Sequence, residues 1–292
     1  MIVITTPTGQ IGRQVLDHVL DSGEPIRVIA RDPARLPAGV RDRVEVVPGS
    51  HGDLAVVDRA FAGADSVFWL APPNPRAGSV DAVYLDFTRP ACDAFKRYEV
   101  KRVVGVSALG RGVARNAGLV SASLAMDDLI AGSGVSYRAL ALPSFMDNTL
   151  RQVAQIRDQG VFAQPASAER KAPTCAVRDI AAVAAGLLLD HSWSGRDSVP
   201  VLGPEDLSGN DMARIMSEVL GKPVRFQQTP MDAYRAMLTG RGMSEAMAQA
   251  MVDMMVAKDA GLDNAERRTA QSSTPTSFRQ WCEEILKPAV LA

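Results

Sequence analysis

Short apolar segments alternate with helical segments along the first half of the chain. Six runs of β-branched and other apolar residues, each bounded by turn residues, predict strands at 2–5, 25–30, 43–47, 66–71, 101–107 and 136–142. The segments between them have helical periodicity, as in 12–20, where Leu16 and Leu20 share a face. Strands that alternate with helices are joined by right-handed crossovers into a parallel sheet with helices on both faces. The sequence therefore predicts a doubly wound α/β domain.

Helices dominate after residue 142. We predict a helix over 177–189 with Asp179 as its N-cap, a strand at 198–204, and a helix over 207–223 that begins at the N-cap Ser208. A last amphipathic helix over 274–286 is expected to turn four side chains inward, those of Phe278, Trp281, Cys282 and Ile285.

These patterns divide the chain into two parts. Residues 1–150 with 174–202 are expected to form the main α/β domain, and residues 151–173 and 203–292 a smaller, mainly helical lobe. Five methionines in that lobe recur at helical spacing: Met243, Met247, Met251, Met254 and Met255. They predict a helix packed on the core, a pliable wall for a bulky apolar substrate, or a dimer face, and these alternatives stay open.

Composition excludes several classes of function. The formal net charge of the 292 residues is −1 and the basic residues are scattered, so neither nucleic acid nor an anionic membrane surface is an expected partner. No apolar run approaches the roughly 20 residues that span a bilayer. The three histidines lie far apart, which argues against a metal site. Cysteines at 92, 175 and 282 are odd in number and widely spaced, which favours a reducing compartment, and we expect a cytoplasmic protein.

The segment TPTGQIGR follows the first predicted strand and opens the first helix. At that position a helix offers unpaired backbone N–H groups and the positive end of its dipole, which together suit a diphosphate. A side chain at Gly9 or Gly12 would obstruct the approach of the ligand. Thr6 stands where such turns often have a first glycine, and we expect its backbone to avoid positive φ.

The end of the second strand bears on which nucleotide binds. An acidic residue there would bind the ribose 2′-hydroxyl of NAD, whereas an arginine suits the 2′-phosphate of NADP. Arg31 follows the strand and Arg35 lies one turn further on, so we expect NADP(H) to be preferred, with NAD(H) still possible. Asp32 is the competing residue, since its carboxylate could turn to the ribose instead.

Eight segments occur in the order seen in NmrA-like proteins: TPTGQIGR, IARDPARL, AFAGADSVFWLAPP, VKRVVGVSALG, LPSFMDN, VRDIAAVAAGLL, GPEDLS and TPTSFRQW. Over essentially its whole length the chain resembles this family of atypical short-chain dehydrogenase/reductases, whose relatives include quinone, azo-dye and triphenylmethane-dye reductases. The resemblance implies a Rossmann-type NAD(P)(H)-binding domain and a C-terminal substrate lobe. It also implies cofactor contacts at Thr6, Thr8, Gly9, Gln10, Ile11, Gly12, Arg31, Ala71, Pro72, Ser107, Pro143, Ser144 and Phe145.

The catalytic residues of better-known short-chain dehydrogenases are missing. Those enzymes use Tyr-x-x-x-Lys after the fifth strand for proton transfer, but the connection from Ala108 to Ser136 contains no Tyr, Lys or His. Some NmrA-like and related reductases have a Lys or His within this connection; the resemblance aligns Ser123 with it, and a serine alone is a poor general acid. Catalytic residues therefore stay unassigned, with Ser107 and Asp127 as candidates if a ketone is reduced after all.

Two functions fit a dinucleotide site without an acid/base pair. The favoured one is hydride transfer to an electron-poor small-molecule substrate, such as a quinone, an enone or a dye. We expect this acceptor to be bulky and apolar and to take hydride directly at carbon. The alternative is a catalytically silent redox sensor that binds NAD(P)(H) and reports to a partner. A homodimer stays open in either case.

Overall fold

The computed structural model describes residues 1–292. Its strands in chain order are β1 (Ile2–Thr5), β2 (Ile26–Ala30), β3 (Glu45–Pro48), β4 (Ser66–Trp69), β5 (Arg102–Ala108), β6 (Ser136–Leu142), β7 (Ser144–Phe145), β8 (Val161–Gln164), β9 (Ala172–Cys175), β10 (Arg196–Pro200), β11 (Asp206–Leu207) and β12 (Arg225–Gln228). Its α-helices are α1 (Gln10–Val19), α2 (Ala38–Arg41), α3 (Leu54–Phe61), α4 (Phe87–Arg97), α5 (Leu119–Gly132), α6 (Val153–Gln159), α7 (Val177–Leu189), α8 (Gly209–Leu220), α9 (Met231–Gly240), α10 (Glu245–Asp259), α11 (Phe278–Trp281) and α12 (Lys287–Leu291).

A seven-stranded sheet forms the centre of the molecule, in the order β10-β6-β5-β4-β1-β2-β3. Every neighbouring pair in it is parallel. Strand order reverses at β1, with β2 and β3 on one side and β4, β5 and β6 on the other, which is the doubly wound, Rossmann-type arrangement. The predicted fold class is confirmed.

Helices bury both faces of this sheet. On one face α1 and α7 pack together, with Leu16 and Val19 of α1 buried in the same core as Ile180 and Leu188 of α7. On the other face α3, α4 and α5 cover a core that includes Phe61, Trp69, Phe95, Met126 and Ile130. Because both faces are covered, β1, β2 and β4 consist entirely of buried residues.

A third core lies outside the central sheet. It joins Met146 and Phe162 to Met216 of α8 and to Trp281 and Leu286 near the C-terminus. Two small sheets border it, β11-β9-β7 and the parallel pair β12-β8. This core therefore brings segments from residues 146–162 together with segments that follow residue 206.

The N-terminal cap predicted from the sequence is correct for helix α8 and wrong for helix α7. Helix α8 has the expected start, a reciprocal capping box between Ser208 and Asp211, and it ends at Gly221 in the left-handed conformation. Helix α7 has its predicted bounds, but Asp179 is not its N-cap. Asp147 accepts a hydrogen bond from the N–H of Val177 (2.9 Å) instead, and buried Asp179 binds the N–H and hydroxyl of Thr276 (3.1 and 2.7 Å).

The C-terminal helix turns a different side chain inward from the one predicted. Phe278, Trp281 and Cys282 are buried as expected, but Ile285 is 36% exposed and Leu286 is fully buried. A π-helical turn over Cys282–Leu286 explains the shift, because its extra residue rotates the following side chains around the helix axis.

Candidate active site

A cleft of about 1130 Å³ opens at the carboxyl ends of the central strands. Its volume is above the upper end of the roughly 300–1,000 Å³ that is usual for single small-ligand sites, so there is room for a dinucleotide and a second molecule. All thirteen residues predicted to contact a cofactor line it, namely Thr6, Thr8, Gly9, Gln10, Ile11, Gly12, Arg31, Ala71, Pro72, Ser107, Pro143, Ser144 and Phe145. The fold thus brings together residues that are spread over about half of the chain.

The turn between β1 and α1 forms one wall of the cleft. Helix α1 begins after Gly9, which supplies no side-chain cap, and its first turn contains no acidic residue. The first N–H groups of the helix therefore lack the usual side-chain partners. The hydroxyl of Thr6 is also buried without a hydrogen-bond partner. Unpaired donors at a helix N-terminus are what a diphosphate requires, so this turn fits a dinucleotide.

The expectation that Thr6 avoids positive φ is wrong. Its φ is 51°, in the left-handed region, which costs an L-residue about 1–2 kcal/mol. In this conformation the carbonyl of Thr6 accepts a hydrogen bond from the N–H of Gly9 at 2.9 Å. A Cβ atom on Gly12 would lie 2.2 Å from the same carbonyl oxygen. Gly12 is therefore required by the close packing of α1 on the Thr6 carbonyl, before any ligand is considered.

Two arginines lie where the second strand ends. Arg31 and Arg35 both line the cleft, and neither belongs to an ion pair. The carboxylate of Asp32 accepts a hydrogen bond from the N–H of Ala34 (3.1 Å) and so caps the short 3₁₀ turn Pro33–Arg35. Asp32 thus has a local structural role, whereas the two guanidinium groups are free for an anionic ligand.

His51 is a cleft residue that sequence patterns did not identify. Its Nε2 is 2.9 Å from the carbonyl oxygen of Leu70, and its ring lies edge-on to the rings of Trp69 and Phe87. Burial is the main cause that lowers the pKa of His51 to about 4, although the contact with Leu70 opposes it. The imidazole is therefore neutral near pH 7 and serves to support the wall rather than to transfer protons.

A buried hydrogen-bond network lies behind Ser107. The Ser107 hydroxyl donates to Oδ2 of Asp127 at 2.5 Å, and the phenol of Tyr137 donates to Oδ1 at 2.6 Å. Arg111 donates to Oδ2 at 3.1 Å. The Tyr137 ring fits there because Gly105 on the neighbouring strand has no side chain; a Cβ atom at that position would lie 2.2 Å from the phenol oxygen.

Ser123 and Asp127 occupy successive turns of α5 at this place. Ser123 is buried and lines the cleft, while Asp127 lies one layer behind it. The resemblance implies that Ser123 stands where some NmrA-like and related reductases have a Lys or His, and Asp127 lies four residues further along the same helix. The chain therefore has a hydroxyl at that position and a buried carboxylate one turn further along α5.

The other end of the cleft is lined by residues that are not among the thirteen predicted cofactor contacts. Asn148 and Arg151 lie on the 3₁₀ segment Met146–Gln152, and Met254 and Lys258 lie one turn apart on α10. Lys258 forms a 2.5 Å ion pair with Asp263, and both side chains are largely buried. Arg151, in contrast, forms no ion pair.

Only one residue of the methionine series lines the cleft. Met254 does so, whereas Met247 packs against Ala77 and Val83. Of the alternatives left open for this series, a pliable wall is therefore supported only at Met254, whereas Met247 belongs to a buried cluster.

Elsewhere in the molecule, no three His, Cys, Asp or Glu side chains are grouped as metal ligands would be. No helix has both the length and the apolar character needed to cross a bilayer.

Comparison with known proteins agrees with this geometry. A family model described as NAD(P)H-binding matches residues 7–191, and an NmrA-like family model matches residues 128–281. A (4-alkanoyl-5-oxo-2,5-dihydrofuran-3-yl)methyl phosphate reductase of Streptomyces griseus is 32% identical over 293 residues, which cover 97% of each chain. An NAD(P)H azoreductase of Xenophilus azovorans is 27% identical over 87% of this chain and 86% of its own.

The fold also matches solved structures. The crystal structure of a Citrobacter sp. triphenylmethane reductase complexed with NADP(H) aligns with a TM-score of 0.80 at 18% sequence identity, covering 99% of this chain and 100% of that one. Family models and relatives together confirm the resemblance read from the sequence. The chain belongs to the NmrA-like family of NAD(P)H-binding proteins and is an oxidoreductase.

Proposed function

We propose that this protein transfers hydride from NADPH to an electron-poor unsaturated acceptor, such as a quinone, an enone or a dye. The observation that carries this proposal is the Ser107–Asp127 hydrogen bond. The proton of Ser107 is directed away from the cleft into a buried carboxylate, and Ser123 is the other hydroxyl beside it. Neither is a strong general acid, so reactions that require protonation of a ketone during hydride transfer are disfavoured.

The cleft residues divide by role in this proposal. The turn from Thr6 to Gly12 holds the diphosphate, and Arg31 and Arg35 bind the 2′-phosphate. Ala71 and Pro72 run along the cofactor, and Ser107 with Pro143–Phe145 surrounds the nicotinamide end. Bound NADPH would supply the hydride. The protein holds the two reactants in contact and excludes water, and solvent provides the proton that completes the product.

The acceptor is proposed to bind beneath the C-terminal lobe, residues 151–173 and 203–292. Met254 gives this part of the cleft an apolar contact, and Arg151 gives it a cation without a carboxylate partner. The Streptomyces relative acts on an alkanoyl-dihydrofuranone that carries a phosphate. Such a molecule combines an electron-poor double bond with an anionic group, and both features fit this cleft. We therefore include anionic enones and quinones in the proposed acceptor class.

An acceptor panel tests the proposal. We expect NADPH oxidation with quinones, conjugated lactones and cationic dyes, at kcat/KM values at least about 100-fold above those for simple ketones, because only the former accept hydride without an acid. The panel should pair 1,4-naphthoquinone with its 2-sulfonate. Arg151→Gln should lower kcat/KM for the sulfonate about tenfold and leave the neutral quinone within about twofold. Arg157→Gln, on the neighbouring helix and paired with Asp158, is the matched control.

The same acceptor panel distinguishes the reductase from the alternative function, a catalytically silent redox sensor. If NADPH binds tightly while every acceptor stays unreduced, the protein is a cofactor-binding sensor and the reductase proposal is rejected.

A further inference from the structure

A buried carboxylate lies directly behind the wall of the cleft at Ser107. Asp127 is 2% exposed, and its oxygens accept hydrogen bonds from the hydroxyl of Ser107, the phenol of Tyr137 and the guanidinium of Arg111. The hydroxyl of Ser107 separates it from the cleft, at 2.5 Å from Oδ2. The proposed reaction assigns it no part in binding or proton transfer.

The hydrogen bonds favour the ionised form of Asp127. All three partners are donors, and hydrogen bonds to a carboxylate stabilise its charge. Burial raises the pKa of Asp127, and the bonds from Ser107, Tyr137 and Arg111 oppose that rise. Burial and the charge of Asp127 hold the pKa of the Tyr137 phenol well above its usual value of 10, so the phenol stays protonated and keeps donating.

The charge of Asp127 is only partly compensated. Arg111 is the one cation that contacts it, and the same guanidinium also binds Asp128 at 2.8 Å. The three groups together carry a net charge of −1. Asp128 is 71% exposed and Arg111 is 43% exposed, so water screens both. The carboxylate of Asp127 is the least screened charge of the three and the one that adjoins the cleft.

We propose that Asp127 sets the redox balance of the bound cofactor by favouring its oxidised form. Hydride transfer converts an uncharged dihydronicotinamide into a nicotinamide cation, while the acceptor gains the hydride and its negative charge and then takes a proton from water. A buried negative charge beside the nicotinamide end stabilises that cation. This makes the reduced cofactor a stronger hydride donor when bound here than in water. The inference rests on the proposed function, in that it places the nicotinamide end at Ser107.

The inference predicts a change in relative nucleotide affinity, which needs no acceptor. At pH 8, Asp127→Asn should raise the ratio of Kd for NADP⁺ to Kd for NADPH about tenfold, measured by calorimetric titration of each nucleotide. Asp128→Asn keeps the buried charge, removes only the exposed carboxylate from the same arginine, and should leave the ratio within twofold. Circular dichroism and thermal melts identify any variant that is not folded.

A second variant is expected to change the same Kd ratio in the opposite direction, and it tests the inference if Asp127→Asn does not fold. Arg111→Gln removes the compensating cation from a partly exposed position, and it should lower the same ratio about threefold. Folded variants whose ratios all equal the wild-type ratio would overturn the inference. If the ratio shifts as expected while the acceptor panel stays inactive, the inference holds and the reductase proposal alone fails. A wild-type protein that binds neither nucleotide would overturn both.

Discussion

Arg31 and Arg35 are expected to discriminate between NADPH and NADH, which differ by one phosphate group. Both guanidinium groups line the cleft without an ion pair, while Asp32 is engaged by the N–H of Ala34. A forked, charge-assisted pair with a phosphate contributes roughly 1.5–3 kcal/mol. We therefore expect NADPH to bind more tightly than NADH, and Arg31→Ala to reduce that preference at least about tenfold.

Calorimetric titration with both nucleotides measures this preference directly. Arg41→Ala removes an exposed arginine from α2, outside the cleft residues, and should leave both affinities unchanged. Equal affinity of the wild-type protein for NADPH and NADH would rule out the assignment of Arg31.

Single residues of the site differ in how far the sequence could identify them. The cleft positions after the strands followed from the family resemblance, and they agree with a parallel sheet, in which the carboxyl ends of the strands meet at one edge. The contact between Tyr137 and Asp127 was not predicted, since Tyr137 lies on β6, one residue beyond the connection from Ala108 to Ser136. The positive φ of Thr6 was missed for another reason: steric preference favours the β region locally, but the packing of α1 against β1 decides the conformation.

At the scale of elements, Gly9 and Gly12 both lie at the β1–α1 junction and have different roles. The ideal Cβ of Gly12 would lie 2.2 Å from the backbone oxygen of Thr6, whereas that of Gly9 would lie 3.3 Å from it. Gly12→Ala must therefore displace α1, and we expect it to cost about 3 kcal/mol and to lower Tm by about 5–10 °C. Gly9→Ala should leave Tm within about 2 °C and instead weaken NADPH binding at least tenfold, because the added methyl group meets the diphosphate.

Thermal melts and NADPH titrations on the two variants distinguish these effects. Equal loss of Tm in both would mean that the glycines serve packing alone. Normal NADPH affinity in a folded Gly9→Ala variant would remove the diphosphate from this turn.

Elements with strong local patterns were predicted well, and elements fixed by distant partners were not. The six strands of the first half follow from runs of β-branched residues, and α8 from its capping box. The short strands β7 and β11 contain two residues each, and both pair with β9, so no local pattern marks them. The π-helical turn near the C-terminus likewise has no sequence signal and moves burial from Ile285 to Leu286.

At the scale of the whole molecule, the cleft is completed by segments that are remote in sequence. Lys258 on α10 reaches the same cleft as the turn at Thr6, about 250 residues earlier. Helix α10 is held at its start to the loop that follows β4, where the Ser244 hydroxyl donates to the carbonyl of Ala77 at 2.6 Å. Hydrophobic periodicity predicts that this helix buries a face, but it cannot determine which surface it meets. The residues at the proposed acceptor end of the cleft could therefore be identified only from the structure.

Stability of the whole molecule toward acid is expected to depend on His51. Its pKa is lowered from 6.5 in the unfolded chain to about 4 in the folded one, chiefly by burial. Between these values the unfolded state binds a proton that the folded state does not, so the free energy of unfolding falls as pH falls. The effect is absent above pH 6.5 and amounts to about 3 kcal/mol by pH 4.

Urea unfolding at intervals from pH 7.5 to pH 4 measures this dependence. His51→Gln keeps an amide donor for the carbonyl of Leu70 and cannot titrate, so its unfolding free energy should fall about 3 kcal/mol less than that of the wild type over the same range. His18→Gln, at an exposed position on α1, is the matched histidine-to-glutamine control. Parallel curves for the wild type and His51→Gln would show that the imidazole is protonated within the fold. The part of the cleft wall beside Leu70 and Trp69 would then carry a positive charge in acid.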